Sequence, residues 1–179
     1  AIHSAWEKRK RRGTILLASE GDHPSVLMKL KAMHSKGAQI RLVRLKKNGE
    51  IDLTHLNDLL SDQVIFLSIL WVNNETGVIQ PVSEIINLTR KKTSHCIIHI
   101  DAVQAFGKIM NDRWIEDIDM CSISAHKIGG LKGTGALITK NNFLLIPFIL
   151  GGNQERGKRA GTENTLGIVS FGLAAELMH

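Results

Sequence analysis

The most chemically suggestive feature of the sequence is a lysine set just past a short apolar run. Met120-Cys121-Ser122-Ile123 has a strand's character and leads through Ser124 and Ala125 to His126 and Lys127, with Gly129 and Gly130 close behind. The glycines relieve crowding that would keep a bulky group off the backbone. A lysine in such a place, stripped of solvent, can act as a nucleophilic amine. That is what a Schiff base with a carbonyl, or with pyridoxal phosphate, requires. By itself the tetrapeptide Ser-Ala-His-Lys is no more than a polar loop after a strand, so other groups have to decide.

Pyridoxal phosphate needs an amine for its aldehyde, an anion near its pyridine nitrogen, donors for its phenolate oxygen and phosphate, and a platform for its ring. Lys127 offers the amine. Asp101 closes the apolar run Cys96-Ile97-Ile98-His99-Ile100 and can keep the ring nitrogen protonated. Gln104, three residues on, faces the same way if a helical turn starts there, and Asn74 is a second amide donor. His23 offers a flat imidazole for stacking, while Ser124 and His126 offer donors for phosphate. Taken singly, His23 reads as a turn residue and Asp101 as a helix cap. The presence of the other partners weakens both plainer readings.

These residues must be positioned by strands and helices in alternation. Ile2 to Arg12 is expected to be helical and stopped by Gly13, followed by a strand over Thr14 to Ala18 whose continuous apolarity suits a parallel sheet covered on both faces. A turn, Ser19 to Ser25, feeds a helix over Val26 to Ser35, and Gln39 to Arg44 forms the next strand. A short helix follows over Asp52 to Leu60, then the most apolar strand, Val64 to Val72, which ends in Asn73-Asn74-Glu75-Thr76-Gly77. Pro81 opens a helix to Lys92, Cys96 to Ile100 is a strand, and an irregular stretch runs to Asp119. The Met120 strand, a strand over Gly135 to Thr139 and a helix over Leu166 to Met178 complete the chain. The turns bearing His23, Asn74, Asp101 and Lys127 all follow strands. In open α/β sheets ligands bind outside the carboxyl ends of the strands, so these four turns are expected to form one site.

Composition sets the outer bounds. A chain of 179 residues with 43% hydrophobic content can bury one sizeable core, and no apolar run is long enough to span a bilayer. Cys96 and Cys121 lie inside apolar runs, which points to inert core thiols and a reducing compartment; with no signal-peptide pattern, a cytoplasmic protein is expected. The formal charge of +6 comes largely from Lys8-Arg9-Lys10-Arg11-Arg12, and aromatics make up only 4%. That run reads as a solvated helix face rather than a nucleic-acid surface. No metal site is expected.

Five motifs in order carry a family resemblance. They are Asn73-Asn74-Glu75-Thr76-Gly77, His99-Ile100-Asp101-Ala102-Val103-Gln104, Ser124-Ala125-His126-Lys127, Lys132-Gly133-Thr134-Gly135-Ala136-Leu137, and the long segment from Gly151 to Asn164. Together they resemble the cysteine desulfurases of the aminotransferase class V superfamily. The resemblance implies the large domain of a three-layer α/β fold type I transferase, with a mostly parallel sheet flanked by helices. It implies that Lys127 carries pyridoxal phosphate, Asp101 serves the pyridine nitrogen, and Asn74 and Gln104 serve the phenolate side. His23 would stack on the ring and assist proton transfer, Ser124 and His126 would hold phosphate, and Thr162 would reach the phosphate of a neighbouring subunit in a homodimer. The implied activity takes sulfur from L-cysteine, leaves alanine, and passes a persulfide to an iron–sulfur scaffold or another acceptor such as a tRNA-modifying protein. A selenocysteine lyase or other class V enzyme, and a non-catalytic remnant of a split gene, are the alternatives.

Leu131 stands where the family usually has proline, and Asn153 where a third glycine is common. Arg156, Lys158 and Arg159 read equally as a solvated basic loop or a subunit contact. The resemblance covers only the middle of the large domain. The upstream phosphate-binding turn and the small C-terminal domain, with its nucleophilic cysteine and substrate-carboxylate arginine, are expected to lie outside residues 1–179, so that this piece alone is expected to be inactive.

Overall fold

The computed structural model describes residues 1–109, 116–141 and 143–178. Eleven of its elements matter here: helices α1 (Ile2–Arg9), α2 (Pro24–Met33), α3 (Leu53–Leu59), α4 (Val82–Lys92) and α5 (Thr165–Glu176), and strands β1 (Ile15–Ser19), β2 (Gln39–Val43), β3 (Val64–Leu70), β4 (Ile97–Asp101), β5 (Met120–Ser124) and β6 (Gly135–Thr139). The six strands make one sheet in the order β2-β1-β3-β4-β5-β6, parallel throughout except for the antiparallel pairing of β6 with β5.

The burial of each strand follows its place in that order. β1, β3 and β4 are buried at every position, as continuous apolar runs in a covered parallel sheet must be. β2 and β6 lie at the edges and leave most of their residues partly or fully exposed. On one face α1 and α2 press Ile2, Trp6, Val26, Leu30 and Met33 onto Leu16, Ala18, Phe66, Ile97 and Met120. On the other, Leu56 of α3, Val82, Ile85 and Ile86 of α4 and Phe171 of α5 cover Leu17, Leu67, Ile69, Ile98, Ile100 and Ile123. These three layers are the expected architecture. Each fully buried aliphatic side chain contributes about 1.5–3 kcal/mol over leaving it in water, so β3 and its neighbours dominate the core.

Local chemistry sets the ends of the helices. The His23 side chain accepts from Ser25 N at the start of α2, with Pro24 in the first turn where its missing N–H costs nothing. Asp52 accepts from His55 N at α3, and Asn164 from Gly167 N at α5. α1 ends at Arg9 rather than at Arg12, and Lys10, Arg11 and Arg12 are exposed in the turn that follows. Gly13 is needed further on: a Cβ there would stand 2.4 Å from the Gln63 carbonyl oxygen, which accepts from Ile15 N as β1 begins. Part of the irregular stretch expected before Asp119, residues 110–115, lies outside the described residues.

Candidate functional site

Strand order places the site. From β1 the chain crosses to β2 on one side and returns to β3 on the other, so the carboxyl ends of β1 and β3 flank the point where the winding reverses. The ladder between them runs only to Ala18 and Ser68, while β3 continues to Leu70. The turn after β1 fills the resulting cleft. Asp22 turns back into it, and its Oδ1 accepts from Leu70 N at 3.0 Å and from Ser19 Oγ at 2.8 Å. Gly21 O accepts from Asn73 Nδ2 at 3.2 Å. The His23-bearing and Asn74-bearing turns are thereby stitched side by side.

Asp101 ends β4 and is buried, with Oδ1 accepting from Val103 N at 3.1 Å. Burial pushes its carboxyl above the ordinary carboxylate range, offset by that hydrogen bond and by the nearby His23. The structure therefore brings His23 within electrostatic reach of Asp101. Both plainer readings hold locally as well: His23 caps α2, and Asp101 organises the turn that carries Gln104. Gln104 is half-buried and its Oε1 accepts from Lys108 Nζ at 3.2 Å, while Asn74 is exposed.

On the next strand, Ser122 pairs with Asp101 in register, and Ser124 follows two residues on, on the same face. Ser124 Oγ is hydrogen-bonded with His126 Nδ1 at 2.8 Å. Ala125–Lys127 forms a single 3-10 turn in which Lys127 is half-buried, and no ion pair reaches it among the described residues. Gly129 closes this turn at φ +92°, a conformation that disfavours a side chain. Gly130 then packs its N–H onto Ala125 O at 2.9 Å, where an added Cβ would lie 3.1 Å from the same oxygen.

The spacing suits pyridoxal phosphate. Adjacent strands lie about 4.8 Å apart and two residues rise about 6.6 Å, so Asp101 and Ser124 are offset by roughly 8 Å along the sheet edge. An acid for a ring nitrogen and a hydroxyl–imidazole pair for a phosphate thus stand at the two ends of a gap of about that cofactor's length. Lys127 comes from the second of these segments. The donor set fits the group.

Thr162 lines a different surface from these residues. It is exposed on the segment after β6 and lines a cavity of about 540 Å³ with His3, Thr134, Glu155 and Arg159, a cavity that none of His23, Asn74, Asp101, Gln104 or Lys127 lines. The same segment holds Glu155 and Arg156 at φ 50° and 56°, where non-glycine residues are strained.

Sequence reasoning passed over four residues under the site. His99 is buried and joined to Ser68 Oγ through Nδ1 at 3.0 Å and to Ser122 Oγ through Nε2 at 2.8 Å, and its ring stacks on Phe66. Burial lowers its pKa to about 3, so it stays neutral, with one nitrogen donating and one accepting. Asp22 is the fourth. Its Oδ2 is buried with no hydrogen-bond partner among the described residues, and burial lifts its pKa to about 7. Polar residues alternating within the apolar strands, His99 in β4 and Ser68 in β3, were the available signal.

The aminotransferase class-V family profile matches residues 1–179, and the chain belongs to that family. Among curated relatives, a cysteine desulfurase of Enterobacter agglomerans is 42% identical over 177 residues, covering 99% of this chain and 43% of its own. A solved NifS-like protein superposes with a TM-score of 0.94 at 34% identity, covering 99% of this chain and 48% of the other. A structure of SspA in complex with cysteine matches with a TM-score of 0.89 at 34% identity, over 98% of this chain and 51% of that one. The chain thus spans about half the length of the proteins it resembles.

Proposed function

We propose that this chain forms the central part of the large domain of a pyridoxal-phosphate-dependent cysteine desulfurase. The observation that supports the reading most is the convergence of His23, Asp101, Ser124 and Lys127, from three separate segments, on one carboxyl edge of the sheet. Similarity to proteins named cysteine desulfurase, and to a structure solved with cysteine, supports the substrate.

When bound, pyridoxal phosphate supplies an electron sink for the pair left behind as a proton leaves the substrate carbon beside the amine. Lys127 would hold the group through Nζ. Asp101 would keep a proton on the ring nitrogen. Asn74 and Gln104 would donate to the phenolate oxygen, and Ser124 with His126 would hold the phosphate. His23 supports the ring face, and with Nδ1 engaged by Ser25 its Nε2 is the atom able to carry a proton.

The sulfur then leaves L-cysteine: its C–S bond breaks, an S–S bond forms to an enzyme thiolate, and the carbon takes up a proton to become alanine. Neither cysteine of this chain suits that step. Cys96 and Cys121 are buried free thiols pushed up to about 12 and about 11 by burial, so the nucleophile belongs to a segment outside residues 1–179. Thr162 would serve the phosphate of a second subunit in a homodimer. An iron–sulfur scaffold or another acceptor protein would take the persulfide, in the cytoplasm. Among the described residues no helix is long and apolar enough to cross a membrane.

The test uses the protein expressed from its complete reading frame, supplied with pyridoxal phosphate, L-cysteine and a reductant. Equimolar alanine and sulfide support the reading. Turnover of selenocysteine with none of cysteine would replace it with the lyase alternative.

A further inference from the structure

Asp22 is costly to the fold and has no assigned task. A carboxyl group 4% exposed, with one oxygen that makes no well-formed hydrogen bond among the described residues and only the Ser68 hydroxyl in reach beyond Ser19 and Leu70, is the kind of group a core excludes unless something depends on it. What depends on it is visible in the sheet. The β1–β3 ladder stops at Ala18 and Ser68, so beyond that point Leu70 N has no strand to donate to on that side. Asp22 Oδ1 takes the place of the missing strand and also accepts from Ser19 Oγ, which closes the Ser19–Asp22 turn on itself. The next residue is His23, whose backbone starts α2. Gly21, on the other side, is held by Asn73 Nδ2, and a Cβ there would lie 2.9 Å from Leu45 Cδ1, so the turn packs closely on Leu45.

We infer that Asp22 is a positioning residue for His23, its carboxyl tying the β1 turn to the end of β3 so that the imidazole stays in place beside Asp101. The inference rests on the proposed desulfurase reading for its kinetic consequence, but the tie itself does not. The expectation is specific about chemistry. Asparagine keeps an oxygen for Leu70 N and Ser19 Oγ, whereas alanine leaves both donors unanswered and lets the turn drift. A displacement of about 1 Å at a reacting group can cost roughly 100-fold in rate.

The experiment is a double-mutant cycle on the protein from its complete reading frame, with Asp22→Ala, His23→Ala and the pair. The visible circular dichroism of bound pyridoxal phosphate is recorded alongside kcat and KM for cysteine. The expected result is a fall in kcat of roughly 10- to 100-fold for Asp22→Ala with little change in KM. It also includes an altered cofactor signal, recovery in Asp22→Asn, and no further loss when Asp22→Ala is added to His23→Ala. Multiplicative losses in the pair, or full activity in Asp22→Ala, would overturn the inference. If Asp22→Ala does not fold, the cycle is run with Asp22→Ser and the same outcomes decide. Amide exchange at Leu70 needs neither activity nor cofactor: protection comparable to Leu67 is expected, and rapid exchange would overturn the tie even if the protein proved not to be a desulfurase.

Discussion

Asp101 and Ser122 face each other in register across β4 and β5, and the Ala102 N–H donates to Ser122 O at 2.9 Å as the chain turns away. That pairing seats the Asp101 carboxyl and the Ser124 hydroxyl on one face of neighbouring strands, fixed by the sheet rather than by mobile loops. Asp101→Asn is therefore expected to keep the fold while losing the charge proposed to serve the ring nitrogen. One charge-assisted hydrogen bond is worth about 1.5–3 kcal/mol, and turnover should suffer more than cofactor affinity. Unchanged turnover would mean that another group serves the nitrogen.

Two buried groups should pull the pH dependence of stability in opposite directions. Asp22 is raised from 3.8 to about 7, so the stability linked to its proton is present below pH 3.8 and is lost as the pH rises through 7. His99 is lowered from 6.5 to about 3, so its contribution is present above pH 6.5 and is lost as the pH falls through 3. Between pH 4 and 6.5 the two oppose each other. Urea midpoints across that range should rise more steeply with pH in Asp22→Asn than in the unaltered protein. Parallel profiles would contradict the assignment.

The strands and helices were legible because their apolar runs are long and their punctuation is strong. Pro81 stands at the head of α4, as expected. Boundaries moved by a residue or a few where capping decided, as at His23. The turns bearing His23, Asn74, Asp101 and Lys127 were legible as turns that follow strands. The tie from Asp22 to Leu70 was not, because it spans 48 residues and exists only where one ladder stops before the other. The same holds for the Ser68–His99–Ser122 bridge, which depends on register across three strands. Thr162 was named from a resemblance alone, and it lines a cavity that the other residues named with it do not.

The two thiols should be silent. Cys121 lies in β5 and Cys96 immediately before β4, both buried, and a thiol near pKa 11 or 12 has almost no thiolate at neutral pH. Residues 1–179 with pyridoxal phosphate, cysteine and a reductant are expected to release no sulfide, and the folded chain to resist alkylation at both positions. Sulfide release abolished by Cys121→Ser would make Cys121 the nucleophile.

The hydroxyl–imidazole pair at the end of β5 should act on affinity. Ser124→Ala removes one neutral hydrogen bond and leaves His126 without its 2.8 Å partner. A loss of about 1 kcal/mol, some fivefold in the dissociation constant for pyridoxal phosphate, is expected, with little change in kcat at saturating cofactor. Equal affinity in titrations of the two apoproteins would show that the phosphate lies elsewhere.

The central claim is that Lys127, on the turn after β5, is the amine that holds the cofactor. Borohydride reduction of the protein from its complete reading frame, after loading with pyridoxal phosphate, followed by peptide mapping, tests this directly. The pyridoxyl label is expected on Lys127. Label on Lys132 or Lys140 instead, with Lys127 unmodified, would contradict the account.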